Sequence, residues 1–300
     1  MDQKKVEKQS LVVSVLINFL IGLSGLFIYV ITDLNALLLD GIFSFIGFIS
    51  SVAALYISKN SHRKTENFPN GLYFLEPLYG ILKSIATLML LIITLLETSA
   101  TAYAYFAHGE GHPMVTGPVL PYTISMVILG FGLGIFNLHQ NQKIQNMSTM
   151  IEAESRGNFI DGLISAGVGA AILLLNVIDI NGQLGFLHYT GDFFITVILV
   201  IFSIKEPLSI LIHSFREFTR STVQNQEIED QVMAILEHHL MGHMDDLDIH
   251  IFKQGIHIKV KIQILTVQDP DFIEQLAYKK AELLNQLRQE FNHLTLEFSF

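Results

Sequence analysis

Residues 35–58, NALLLDGIFSFIGFISSVAALYIS, decide the fold. As a helix this run is about 36 Å long, enough to cross a hydrocarbon core of roughly 30 Å. Its only charge is Asp40. A second apolar run, NFIDGLISAGVGAAILLL at 158–175, holds Asp161 in the same way. A carboxylate at that depth costs about 3 kcal/mol on insertion scales and well over 10 kcal/mol on others. Such a residue is usually retained because it binds or moves something, and two of them on separate segments point to a cation path through a bilayer.

Working outward from residue 35, six runs have spanning length: roughly 10–31, 35–58, 77–99, 119–139, 150–176 and 192–213. The fifth begins with polar turns (Glu152, Glu154, Arg156), which are expected to reach into the cytoplasm or a wet cavity. Composition agrees with a membrane protein. Half of the residues are hydrophobic and only 15% are charged, against about 25% in soluble domains. The first run lacks a small-residue cleavage site and reads as an anchor. With no cysteine, disulfides, thiolate metal sites and thiol nucleophiles are excluded. The net charge of −10 argues against a nucleic-acid partner.

Lys and Arg set the expected orientation. Lys4, Lys5 and Lys8 precede the first span; Lys59, Arg63 and Lys64 lie between the second and third; Lys143 lies between the fourth and fifth. The opposite loops contain none, so both termini are expected in the cytoplasm of a multi-pass protein, in a cell membrane and, by inference, a bacterial inner membrane.

Two domains are expected: a six-helix transmembrane domain at 1–213 and a cytoplasmic α+β domain at 214–300. Residues 214–300 hold 8 basic and 14 acidic residues. Positions 227–240 have helical periodicity, and 247–251 alternate with period two. Residues 253–255 read as a turn. From Ile256 to Ile264 the alternation is strict, with Ile256, Ile258, Val260, Ile262 and Ile264 on one face and His257, Lys259, Lys261 and Gln263 on the other. Asp269 and Pro270 open a helix to about Phe291, and 294–298 alternate again. The order is αββαβ, a small ferredoxin-like sheet with one helix-covered face.

This plan resembles the cation diffusion facilitator (CDF) family of metal-ion/proton antiporters over nearly the whole chain. Locally, Leu39-Asp40-Gly41 with Ser44 and Ser51 resembles the family's second helix. Phe68-Pro69-Asn70-Gly71 with Tyr73 and Leu75-Glu76-Pro77-Leu78 resembles the start of its third. Asp161-Gly162 with Ser165 resembles its fifth, and Asp192 opening the sixth also fits. The resemblance implies a homodimer that exports divalent cations by proton antiport, with the ion bound between helices two and five. The family places two ligands four residues apart on each of those helices. Here they fall on Asp40 and Ser44, and on Gly157 and Asp161; the usual His is missing and Gly157 has no side chain. Asn158 and Glu154 lie on nearly the same face as Asp161 and are candidate substitutes. The candidate metal residues are therefore Asp40, Ser44, Asp161, Asn158 and Glu154. At the start of helix three, Phe74 stands where the family is often basic.

A carboxylate in such a site can carry a proton from one side and exchange it for metal on the other, which couples the two fluxes. An all-oxygen site suits hard ions such as Mn²⁺ or Mg²⁺, while Zn²⁺, Fe²⁺ and Co²⁺ also bind carboxylates. The metal is the cargo, and no cofactor is expected. Asn18 is expected to make an interhelical hydrogen bond. Lys83 can pair with an acid or snorkel along its stem to the interface, and the stem length favours snorkelling. Lys205-Glu206-Pro207 marks a boundary and a possible kink. The loop His108-Gly109-Glu110-Gly111-His112 reads as solvated or as a weak metal collector. In the C-terminal domain, His243, Asp245 and His250 are candidates for a regulatory metal site, with a metal-poor dimerising domain the favoured reading.

Two other functions compete. An intramembrane protease built on two aspartates leaves the αββαβ tail unexplained. A non-transporting metal sensor or assembly scaffold in the same fold is compatible with the incomplete ligand set. There is no P-loop to suggest ATP drive, and an enzyme is not expected.

Overall fold

In the computed structural model, the elements among the described residues are, in order, α1 (Gln3–Thr32), α2 (Asn35–Asn60), α3 (Leu75–His108), α4 (Val119–Lys143), α5 (Thr149–Leu175), α6 (Leu187–Ser203), α7 (Lys205–Phe218), α8 (Gln226–His239), β1 (Leu247–Gln254), β2 (His257–Ile264), α9 (Pro270–Glu290) and β3 (Leu294–Ser299). The structure describes all residues except 1–2, 33–34, 114–118, 224, 241–243, 266–269 and 300; the side chains of 29, 31–32, 35–43, 46, 168, 171, 192, 270–275 and 277 are also outside the described set.

Among the described residues, five helical stretches are long and apolar enough to span a membrane: Gln3–Ile28, Leu75–His108, Val119–Lys143, Thr149–Leu175 and Leu187–Phe218. Helix α2 adds a sixth rod of 26 residues. Several run past the apolar stretches that mark them in the sequence, because a helix continues through the interface after the hydrocarbon ends. Ser148 caps α5 by accepting from Ile151 N, and Gly109 ends α3 in the left-handed conformation (φ 68°). The sixth span divides into α6 and α7 at Ile204. Pro207 has no N–H for the carbonyl of Ser203, which accounts for the break and places the kink where Lys205-Glu206-Pro207 suggested.

In the bundle α1 packs against α2 and α4, α4 against α5, and α3 against α6 and α7, with α3 also touching α5. The outward faces carry large apolar side chains such as Leu16, Phe27, Ile49, Leu82, Ile128 and Phe202, as a lipid-facing surface requires. A Cβ placed on Gly130 would lie 2.9 Å from the Cα of Gly162, so α4 and α5 cross backbone to backbone beside Asp161.

The C-terminal sheet has the order β1-β2-β3. β1 runs antiparallel to β2 (Leu247 opposite Ile264, Gln254 opposite His257), and β2 runs parallel to β3 (Ile258 opposite Leu294). Its alternation is the one legible in the sequence: Ile256, Ile258, Val260 and Ile262 are fully buried. The proposed Asp269 cap lies outside the described residues. The sheet's core is continuous with the membrane domain, because Val6, Tyr73, Ile144, Met147 and Ile151 pack into the same cluster as Ile258 and Phe291.

The hairpin turn between β1 and β2 seats on the helix ends. Ile256 N donates to Glu76 Oε2 at 2.8 Å and Gly255 N to Glu217 Oε2 at 3.2 Å. Lys253 Nζ bonds both Glu217 and Thr149 Oγ1. Glu76 is fully buried and also holds Lys4 Nζ at 2.6 Å. His257 lies on the face that alternation reads as polar, yet its ring stacks on Tyr73 with centroids 4.6 Å apart. The Tyr73 hydroxyl reaches His293 Nδ1 at 3.1 Å.

Candidate functional site

Helix α5 carries Glu154, Gly157, Asn158 and Asp161 on neighbouring faces, and each meets different surroundings. Glu154 is fully buried. Its Oε2 accepts from Ser51 Oγ of α2 at 2.7 Å, and Ser51 accepts from Asn18 Nδ2 of α1 at 2.8 Å. Its Oε1 accepts from the Tyr79 hydroxyl of α3 and lies 3.2 Å from Lys83 Nζ of the same helix. Tyr79 also meets Ser50 at 3.1 Å. Three helices thus meet at one carboxylate, and α1 joins them through Ser51.

Lys83 pairs with Glu154 and does not snorkel to the interface, which corrects the expectation from its stem length. The reason is local. A Cβ on Gly157 would lie 3.1 Å from Lys83 Cε, so the missing side chain at 157 leaves the groove in which the lysine lies. A buried charge needs a partner, and Glu154 is within reach. Asn18 makes the interhelical hydrogen bond expected of it.

The contact between Ser51 and Glu154 fixes the register of two antiparallel helices. Seven residues toward the far end of the bundle, about 10.5 Å along each helix, stand Ser44 on α2 and Asp161 on α5. They are therefore at one level, with Asp40 about a turn beyond on α2. Ser44 is half-buried and packs near Gly22 of α1, where a Cβ would lie 3.6 Å from the Ser44 carbonyl carbon. The Asp161 side chain is exposed. The Asp40 side chain lies outside the described residues. Between Glu154 and Asp161 sits Asn158, 4% exposed, whose Nδ2 has no hydrogen-bond partner among the described residues.

The structure thus brings Glu154 together with Lys83, Tyr79, Ser51 and Asn18, and leaves Asp161 two turns further along. Both Glu154 oxygens are engaged, whereas Ser44 and Asp161 share a level. Sequence reasoning missed Tyr79 as a carboxylate partner. It also missed the bridge of Ser10 and Ser14 to Asn137, in which Asn137 Oδ1 accepts from Ser10 Oγ at 2.6 Å and Asn137 Nδ2 donates to Ser14 Oγ at 2.9 Å. A four-residue spacing on α1 was the only available signal for that pair.

The regulatory candidates do not gather into a site among the described residues, where no group of three His, Asp or Glu is placed to hold a metal. His250 Nε2 pairs with Asp248 at 3.1 Å, Asp245 is exposed, and His243 lies outside the described residues. The His108–His112 loop likewise forms no such group, and His108 packs edge-on against Tyr103. A cleft of about 440 Å³ opens where α4, α5 and α7 meet β1 and the linker to α8, lined by Glu152, Arg156, Arg216, Glu217 and Lys253 among others. Its charges are mixed, with Arg156 paired to Glu206 at 2.6 Å and Lys253 to Glu217.

Residues 11–219 match the family model described as the cation efflux transmembrane domain. Comparison with curated proteins returned no match.

Proposed function

Because the chain belongs to the cation efflux family, whose members carry divalent metal cations across membranes, we propose that it is a homodimeric secondary transporter that exports a divalent metal by proton antiport. Asp161, Ser44 and Asp40 are the oxygen donors of the transported ion. Asn158 is the adjacent amide, and Glu154 is a carboxylate nearer the C-terminal domain. Both termini face the cytoplasm of a cell membrane, so the α+β domain meets the metal supply. The protein performs no covalent chemistry.

The observation that carries this reading is the register of α2 and α5. The contact between Ser51 and Glu154 sets Ser44 level with the exposed carboxylate of Asp161, beside the backbone crossing of α4 and α5 at Gly130 and Gly162. The ligand set is all oxygen, so Mn²⁺ and other hard ions fit it best, with Zn²⁺, Fe²⁺ and Co²⁺ as competitors. Protons bound to the same carboxylates leave when metal arrives. Flux of these metals and internal pH in proteoliposomes test the reading. Metal uptake with proton counterflow supports it. Metal binding without flux favours a sensor or scaffold of the same fold.

A further inference from the structure

The Glu154 carboxylate of α5 is held by side chains of α2 and α3, one of them a flexible cation. Its hydrogen-bond donors, Ser51 and Tyr79, are uncharged and fixed on α2 and α3. Among the described residues, Lys83 is the cation paired with it, at 3.2 Å, on a four-carbon stem. That stem lies along α5 because residue 157 is glycine: a Cβ there would come within 3.1 Å of Lys83 Cε and 3.8 Å of Nζ. The ammonium therefore sits on the side of Asp161 nearer the C-terminal domain, in the groove a side chain at 157 would otherwise fill. Between Glu154 and Asp161 the Asn158 amide nitrogen is buried and unpartnered among the described residues. A cation stepping from one carboxylate to the other passes this amide. Any such cation also meets the lysine, and two cations in a low-dielectric passage repel strongly.

We propose that the Lys83 ammonium is a tethered cation that occupies the approach to Asp161 from the C-terminal-domain side, and that the transported cation displaces it from Glu154 on its way in. The inference rests on the reading of Asp161 as a transport carboxylate. Lys83 is a gating residue: it offsets the charge of Glu154 in the empty path and sets how readily a cation enters from one side.

The chain has no cysteine, so a single Asn158→Cys is a unique probe. The full-length protein is placed in vesicles with the C-terminal domain outward and treated with membrane-impermeant methanethiosulfonates, one cationic and one anionic. The ratio of cationic to anionic labelling rates is expected to rise at least tenfold in Lys83→Met. It should rise likewise in Lys83→Gln, which keeps a donor for Glu154 and guards against misfolding, and should stay near the parent value in Lys83→Arg. Mn²⁺ added outside should slow cationic labelling of Lys83→Met at concentrations about tenfold lower than those needed with Lys83 present. A ratio within twofold of the parent in both Met and Gln variants overturns the proposal, as does an equal rise in Lys83→Arg, which would mark a packing role. Absence of Mn²⁺ protection in every variant would count against Asp161 as a metal site, while the charge ratio would still decide whether Lys83 guards the approach.

Discussion

Each oxygen of the Glu154 carboxylate has a donor inside the bundle. The Tyr79→Phe change removes the hydroxyl from Oε1 and leaves the lysine alone there. A hydrogen bond to a charged group is worth about 1.5–3 kcal/mol, so detergent-solubilised Tyr79→Phe should unfold at a lower temperature than wild type, while Tyr56→Phe on the exposed face of α2 should not. Asp40 and Asp161 were legible in the sequence because a charge in an apolar run stands out without any knowledge of packing. The partners of Glu154 were not: Ser51 and Tyr79 are 103 and 75 residues away in the chain, and only helix register brings them together. Lys83 illustrates the same limit. Its stem length favours the interface on an isolated helix, and the groove at Gly157 reverses that preference.

At the scale of elements, alternation revealed the strands of the C-terminal domain, since a period of two with five isoleucine and valine positions admits few other readings. The seating of its hairpin on the membrane helices had no such signature. Gly255 has φ 58°, and a Cβ there would fall 2.2 Å from Glu76 Oε2. Gly255→Ala therefore meets both a strained backbone and the buried carboxylate that holds Ile256 N. It should loosen the hairpin from the ends of α3 and α7 and hasten proteolysis in the linker around Ser221, with helical content retained by circular dichroism. The crossing of α4 and α5 is equally intolerant. Gly130→Leu would force the helices apart beside Asp161 and should cost thermal stability even in the absence of metal, whereas Gly132→Leu, where the added Cβ meets nothing within 4 Å, should be tolerated.

At the scale of the whole molecule, the shared core and the hairpin contacts join the sheet to the helix ends, and that junction is sensitive to acid. Burial pushes the His257 imidazole down to about 4, helped by His293, Lys259 and Lys64 and opposed by the Glu76 carboxylate. The folded protein therefore keeps His257 neutral where the unfolded chain, titrating near 6.5, takes up a proton. The stabilisation is complete above about pH 6.5 and is lost as pH falls toward 4. Protection factors of the β1–β2 hairpin, taken relative to the intrinsic exchange rate at each pH, should fall between pH 7 and pH 5, and His257→Phe, which can still stack on Tyr73, should flatten that dependence. The proposed function makes one central claim: a cation crosses between α2 and α5 by way of two carboxylates. The direct test is simultaneous measurement of Mn²⁺ flux and internal pH in proteoliposomes for wild type, Asp40→Asn and Asp161→Asn. The account predicts Mn²⁺ movement with opposed proton flow in wild type and a loss of at least a hundredfold in each variant. Undiminished flux in well-folded Asp161→Asn would contradict it.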